Sequence, residues 1–212
     1  MTLTRLTDND SSRPDSGEMA RHIASTAAKL FAERGYDATS VREIVEAAGV
    51  TKPTLYYHFR SKEGLAQALL TNPLQALQAR MSKIGLEVED PVAALGQILE
   101  AQFEFCREDP DRARFIFGLL FGPAVSDLAD EIAPFRKGSN DCMSEIAGRL
   151  VDSGAIAPSK LGAFLLSCKG ILLASTLDFL YRDHDVEPVR PGRLVGDLLR
   201  GFAHRDQVES GS

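Results

Sequence analysis

The sequence predicts an all-α fold of about nine helices, a three-helix N-terminal head followed by a larger helical body. Three observations carry that expectation. Apolar residues recur at helical spacing from about Gly17 to Ala203, and no stretch alternates apolar and polar residues as a half-buried strand would. Helix-opening signals stand in front of the apolar runs, among them Ser40-x-x-Glu43, Asp90-Pro91 and Asp109-Pro110. Gly35, Gly49, Gly122-Pro123 and Gly154 close them.

Residues 1–15 are polar, lack periodicity and contain Pro14, and read as a disordered tail; the alternative is an arm reaching a minor groove with Arg5 and Arg13. The first helix runs from about Gly17 to Arg34 on a stripe of Ile23, Ala27, Leu30 and Phe31, with Tyr36 packing under the loop that follows. Between Thr39 and Lys62 two short helices are joined by a glycine turn. Val41, Ile44, Val45 and Ala48 share one face of the first, Gly49 ends it, and Val50 packs between the two. In the second, Leu55 and Phe59 bury one side, which leaves Lys52, Thr54, Tyr56, Tyr57 and His58 on the others. Hydroxyls, a cation and an imidazole suit phosphates and base edges. Residues 18–62 also hold seven Lys or Arg against five Asp or Glu in a chain of net charge −6, so the positive part is this head.

Ser61 opens a fourth helix carrying Leu65, Leu69, Leu70, Leu74, Leu77, Met81 and Ile84, which Asn72-Pro73 either kinks or breaks. Two helices start at Pro91 and Pro110. The second of them, with Phe115, Ile116, Phe117, Leu119, Leu120 and Phe121, is apolar almost all round and is expected at the centre of the body. A long helix follows from about Ser126 to Gly154, irregular near Pro134 and Gly138. The last two run from about Pro158 to Arg182 and from Pro191 to Ala203, and residues 206–212 read as a second disordered tail.

The run Gly49-Val-Thr-Lys-Pro-Thr-Leu-Tyr-Tyr-His-Phe-Arg-Ser-Lys62 resembles the helix-turn-helix of the TetR family of bacterial transcriptional regulators, with the likeness covering roughly residues 18–66. The resemblance implies a helix-turn-helix DNA-binding domain over 16–62 and a helical ligand-binding and dimerisation domain over 63–205. It implies that Arg42 meets a base or phosphate, that Thr51, Lys52, Pro53 and Thr54 form the base-facing start of the recognition helix, and that Tyr56 and His58 face the backbone. Lys62 would hold a phosphate, as would Thr39 and Ser40; Tyr57 either joins them or packs beside Phe31. Partners implied are a double-stranded DNA operator, a second copy held through the last two long helices, where Gly162, Gly170, Ala174 and Ser175 allow close approach, and a small, largely apolar effector. Phe103, Phe115, Phe117, Phe121, Cys142, Met143, Phe164, Cys168 and Phe179 are the candidate pocket wall, although an aromatic at helical spacing is more often plain core. Arg112, Arg114 and Lys169 either orient an anionic group or lie on the surface. In the resembled family the fourth helix links pocket to head, so a kink at Pro73 would act as a hinge.

Three well-separated cysteines suggest no disulfide framework, and His22, His58, His184 and His204 are scattered without metal-ligand spacing. No phosphate loop or nucleophile elbow is present, so neither cofactor nor enzyme activity is expected. The longest apolar run near the C-terminal end, between Lys169 and Asp178, reads as too short for a membrane span, and a cytoplasmic location is the simple expectation. The expected function is a repressor released from its palindromic operator by the effector. The alternatives are an activator or ligand-independent DNA binder, and a helical carrier or enzyme that kept the head.

Overall fold

A computed structural model describes residues 16–121, 128–181 and 190–202. Among these residues there are nine α-helices, one 3-10 turn and no strand. The head comprises α1 (Ser16–Arg34), α2 (Val41–Ala48) and α3 (Lys52–Phe59). The body comprises α4 (Lys62–Glu87), α5 (Pro91–Glu108), α6 (Pro110–Phe121), α7 (Ala129–Asp152), α8 (Leu161–Tyr181, after a turn at Pro158–Lys160) and α9 (Pro191–Phe202).

Local chemistry sets most of the boundaries. Ser40 caps α2 in a complete capping box: its hydroxyl accepts from the Glu43 N–H while its own N–H donates to the Glu43 carboxylate. Thr51, Ser61 and Asp90 cap α3, α4 and α5 with side-chain oxygens. Gly49 ends α2 at φ 63°, a left-handed conformation in which a Cβ is strained, and so permits the sharp turn into α3.

Two apolar clusters meet along α4. The head cluster joins Ile23 and Phe31 of α1, Ile44 of α2, Leu55 of α3 and Leu65, Leu69 and Leu70 of α4, and it continues to Phe115 and Ile116 of α6 and Ile132 of α7. The body cluster joins Leu77 and Met81 of α4 with Leu95, Leu99, Met143, Ile146, Phe164 and Cys168. The centre of the body is α5, which packs on α4, α6, α7, α8 and α9. The expectation that the aromatic α6 lies there is corrected: α6 packs chiefly on α1 and bridges body to head, because Phe115 and Ile116 join the head cluster while Ala113 packs with Cys106 and Leu180 of the body.

Pro73 does not break the fourth helix. The 26 residues of α4 run through it, as α7 runs through Pro134, since packing on neighbours along the helix outweighs one lost backbone hydrogen bond. The expectation about membrane-spanning length is also corrected: the 24 residues Pro158–Tyr181 are long and apolar enough to cross a membrane by composition. Lys169 and Asp178 lie within that stretch, and Phe164, Cys168, Ser175, Thr176 and Leu180 are buried in this chain. The tails, Arg182 and Ala203, and the sites suggested at Arg5, Arg13, His184 and His204, lie outside the described residues.

Candidate nucleic-acid interface

The second helix of the helix-turn-helix, α3, buries a single residue completely. Leu55, 0% exposed, anchors it in the head cluster. On the other sides Thr51, Lys52, Pro53, Tyr56 and Tyr57 are exposed, and Thr54 and His58 are half-buried. The Thr51 and Thr54 hydroxyls lie 2.8 Å apart at the helix start, and the Tyr57 ring stands edge-on to His58 at 5.0 Å. A helix held on one side by Leu55 and the half-buried Phe59, with cation, hydroxyls and rings outward, offers its surface to another molecule. The suggestion that Tyr57 packs beside Phe31 is corrected: Tyr57 is 79% exposed, and Phe31 meets Tyr36 and Phe115 instead, at 5.2 and 5.0 Å between ring centres.

Around it, Ser40 is exposed at the start of α2, and the Arg42 guanidinium pairs with Glu46 one turn on, at 2.7 Å. That pair is well solvated and releases at small cost. Two residues expected at phosphates are turned inward. Thr39 is 1% exposed and its hydroxyl donates to the Gly35 carbonyl at 2.8 Å, so it closes the turn after α1. Lys62 Nζ donates to the carbonyls of Tyr36 and Thr39.

Three residues that set the geometry carried no functional signal in the sequence. His22 Nε2 sits 2.9 Å from the Ala48 carbonyl, which ties α1 to the end of α2. Arg60 adopts φ 64° between α3 and α4. At Gly64, a Cβ would lie 2.1 Å from the Phe59 carbonyl oxygen, so the start of α4 passes against the end of α3 more closely than any other residue allows. Only the pattern of a glycine at the third position of a strongly capped helix hinted at it.

The candidate pocket wall does not assemble as one surface. Phe103, Met143, Phe164 and Cys168 are buried core, with Phe103 edge-on to Phe179 at 5.9 Å; Phe115 belongs to the head–body contact, Phe117 packs beside Cys106 and Leu180, and the Phe121 side chain lies outside the described residues. Cys142 alone of the set lines one of the described cavities, a cleft of about 270 Å³ between α4 and α7 with Gln78 and Glu145. A second cleft of about 340 Å³ lies between α4, α5 and α6 at Pro73, Phe105 and Arg112. Arg112 points inward, its guanidinium 4.3 Å from the centre of the Phe105 ring; Arg114 is tied to Asp111 and the Leu180 carbonyl, and Lys169 is exposed. Burial pushes the thiols of Cys106 and Cys168 up to about 11. Among the described residues no three His, Cys, Asp or Glu side chains gather as metal ligands.

A capped helix-turn-helix head followed by a larger body, helical throughout the described residues, is the arrangement in which helix-turn-helix regulators present a reading helix. Residues 23–69 match the family model described as bacterial regulatory proteins, tetR family. The chain is 34% identical over 137 residues to the HTH-type transcriptional regulator RutR of Escherichia coli (strain K12), covering 64% of this chain and 63% of that protein. It is 42% identical over 82 residues to the HTH-type transcriptional repressor KstR2 of Mycobacterium tuberculosis (strain ATCC 25618 / H37Rv), covering 39% of this chain and 41% of the relative. These matches thus span less than two thirds of either relative's length. The crystal structure of the TetR family transcriptional regulator PfmR from Thermus thermophilus superimposes with a TM-score of 0.66 at 28% identity, over 86% of this chain and 99% of that one. Residues 23–69 thus carry the tetR-family head, on a chain whose fold follows that of a TetR family regulator over most of its length.

Proposed function

We propose that this protein is a sequence-specific transcriptional regulator, a repressor that binds a palindromic operator as a dimer and is released by a small molecule. The observation that carries the reading is the outward face of α3, where Lys52, Pro53, Tyr56 and Tyr57 are exposed on a helix fixed by Leu55. Residues 16–62 form the reading head and 63–205 the regulatory and dimerisation body. Ser40, Arg42, Thr51, Lys52, Pro53, Thr54, Tyr56, Tyr57 and His58 are the proposed DNA-contacting residues, with Lys52 at a guanine edge or phosphate.

A palindrome needs a second copy, and α8 supplies a face for it. Gly162, Leu166, Gly170, Ala174, Leu177 and Tyr181 follow one another at three- or four-residue spacing and are all exposed, with Leu166 71% so. An apolar, small-residue stripe of that length suits a packed helix pair. The effector is proposed to enter a cleft against α4, since α4 walls two of the described cavities and leads directly into the head. A ligand that prefers one setting of the heads weakens DNA binding by that same preference, and DNA weakens the ligand equally.

The test is selection of bound duplexes from a random pool, with the Lys52→Ala, Tyr56→Ala variant as control. A palindrome with half-sites about 34 Å apart, or a multiple, is expected for the wild type alone. Equal recovery by the variant refutes the assignment of α3 as the reading helix.

A further inference from the structure

Lys62 opens α4, yet both hydrogen bonds of its ammonium go to the turn of residues 35–39 that joins α1 to α2. Its Nζ donates to the Tyr36 carbonyl at 2.9 Å and to the Thr39 carbonyl at 3.0 Å, and it lies 4.1 Å from the centre of the Tyr36 ring. The same turn is held from within, because the Thr39 hydroxyl donates back to Gly35, and from below, because the Tyr36 ring packs on Phe31 and faces Phe115 of α6 at 6.5 Å. Beside Lys62, the Glu63 carboxyl is held below its usual range, first by its own backbone N–H, then by the Ser61 hydroxyl, with the Lys62 charge adding to the effect.

The consequence is a competition between two uses of one cation. Moving the ammonium out to a phosphate takes the described partner from the Thr39 carbonyl, leaves the Tyr36 carbonyl with the Thr39 N–H alone and uncovers an aromatic face, while Glu63 alongside offsets part of the attraction to DNA. Keeping it in place fixes Thr39, and Ser40, the cap of α2, is the next residue. We infer that Lys62 is a positioning residue rather than a phosphate contact: it ties the α1–α2 turn to the start of α4, so that α2 and α3 hold a set orientation on the helix that enters the body. This role rests on the DNA-binding reading above.

Charge and position are separable by salt. A protein that loses one phosphate contact loses about 0.9 from the slope of log affinity against log salt. The experiment titrates the selected operator between roughly 50 and 200 mM salt with wild type, Lys62→Met, Lys62→Gln, Tyr36→Leu and Lys52→Ala, each checked for folding by circular dichroism. Lys62→Met is expected to weaken binding roughly tenfold at unchanged slope. Lys62→Gln, similar in length but still a donor to carbonyls, recovers part of the loss. Tyr36→Leu, which leaves the lysine charge in place, weakens binding at unchanged slope, and it serves if neither Lys62 variant folds. Lys52→Ala lowers the slope. The inference is overturned if both Lys62 variants weaken binding equally and lower the slope by about 0.9, or if Tyr36→Leu binds as tightly as wild type. Should wild type select no operator at all, the DNA-binding reading falls first and this role with it, an outcome visible before any variant is compared.

Discussion

Replacing Gly64 by alanine sets local propensity against tertiary geometry. Within a helix, Gly→Ala stabilises by up to about 1 kcal/mol. Here the added Cβ would stand 2.1 Å from the Phe59 carbonyl oxygen and 3.3 Å from its carbonyl carbon. Carbon–oxygen contacts ordinarily settle at about 3.3–3.6 Å, so the end of α3 and the start of α4 must part by more than about 1 Å. The obstacle is backbone rather than a flexible side chain, and the Phe59 oxygen also accepts the Ser61 N–H at 2.7 Å, so the neighbour cannot swing aside. Overpacking of this kind costs about 1–3 kcal/mol, and the upper end applies. The net expectation is a loss of about 2 kcal/mol, roughly a 30-fold shift toward the unfolded state, together with weaker DNA binding because α3 is displaced. Gly148→Ala in α7, where a Cβ meets nothing within 4 Å, is the matched control and should gain about 0.5–1 kcal/mol. Urea denaturation of the two variants beside wild type decides it. A Gly64→Ala protein as stable as wild type, with undiminished DNA binding, would refute the reasoning.

Further expectations concern the cap, the dimer face and the thiols. The Ser40 backbone N–H, and after it the Ser40 hydroxyl, hold the Glu43 carboxyl below its usual range. A depressed folded-state pKa means the contribution is complete above the unfolded value of about 4.3 and is lost as pH falls through the folded one. The stability advantage of wild type over Glu43→Gln in thermal melts should therefore hold steady at neutral pH and shrink only on acidification below about 4.3; a shrinkage already at pH 6 contradicts it. Leu166→Glu on the open face of α8 should shift sedimentation toward the monomer while leaving the helix content unchanged, and an unaltered dimer would remove that face from the interface. With Cys106 and Cys168 buried and pushed up to about 11, mild alkylation of the folded protein should label the half-buried Cys142 first, as read by mass spectrometry of peptides. Labelling of Cys168 ahead of Cys142 would mean that the body opens more readily than its packing suggests.

Much of the head was legible because its signals are local. The Ser40–Glu43 box, the left-handed Gly49 and the Thr51 and Ser61 caps act within four residues of themselves, so spacing alone reveals them. The periodic apolar positions of α1, α2 and α5 were equally plain, since a helix with one buried face writes that face into its sequence. The continuous course of α4 through Pro73 was not, because the cost of the proline is local while its compensation comes from packing on α5 and α7.

By itself, the sequence determined the helices, their order and the chemical character of α3, all set by short-range hydrogen bonding and by the periodicity of burial. Tertiary structure alone decided which way the shared residue types point. Lys52 and Lys62 are both lysines at the first position of a capped helix, yet one faces outward and the other finds two carbonyls and a ring supplied from 23 and 26 residues away. Phe103 and Phe115 are both buried aromatics, one edge-on to Phe179 in the body and the other against Phe31 of the head. The partners that choose between such roles are distant in the chain, and only the packed fold brings them within a few ångströms.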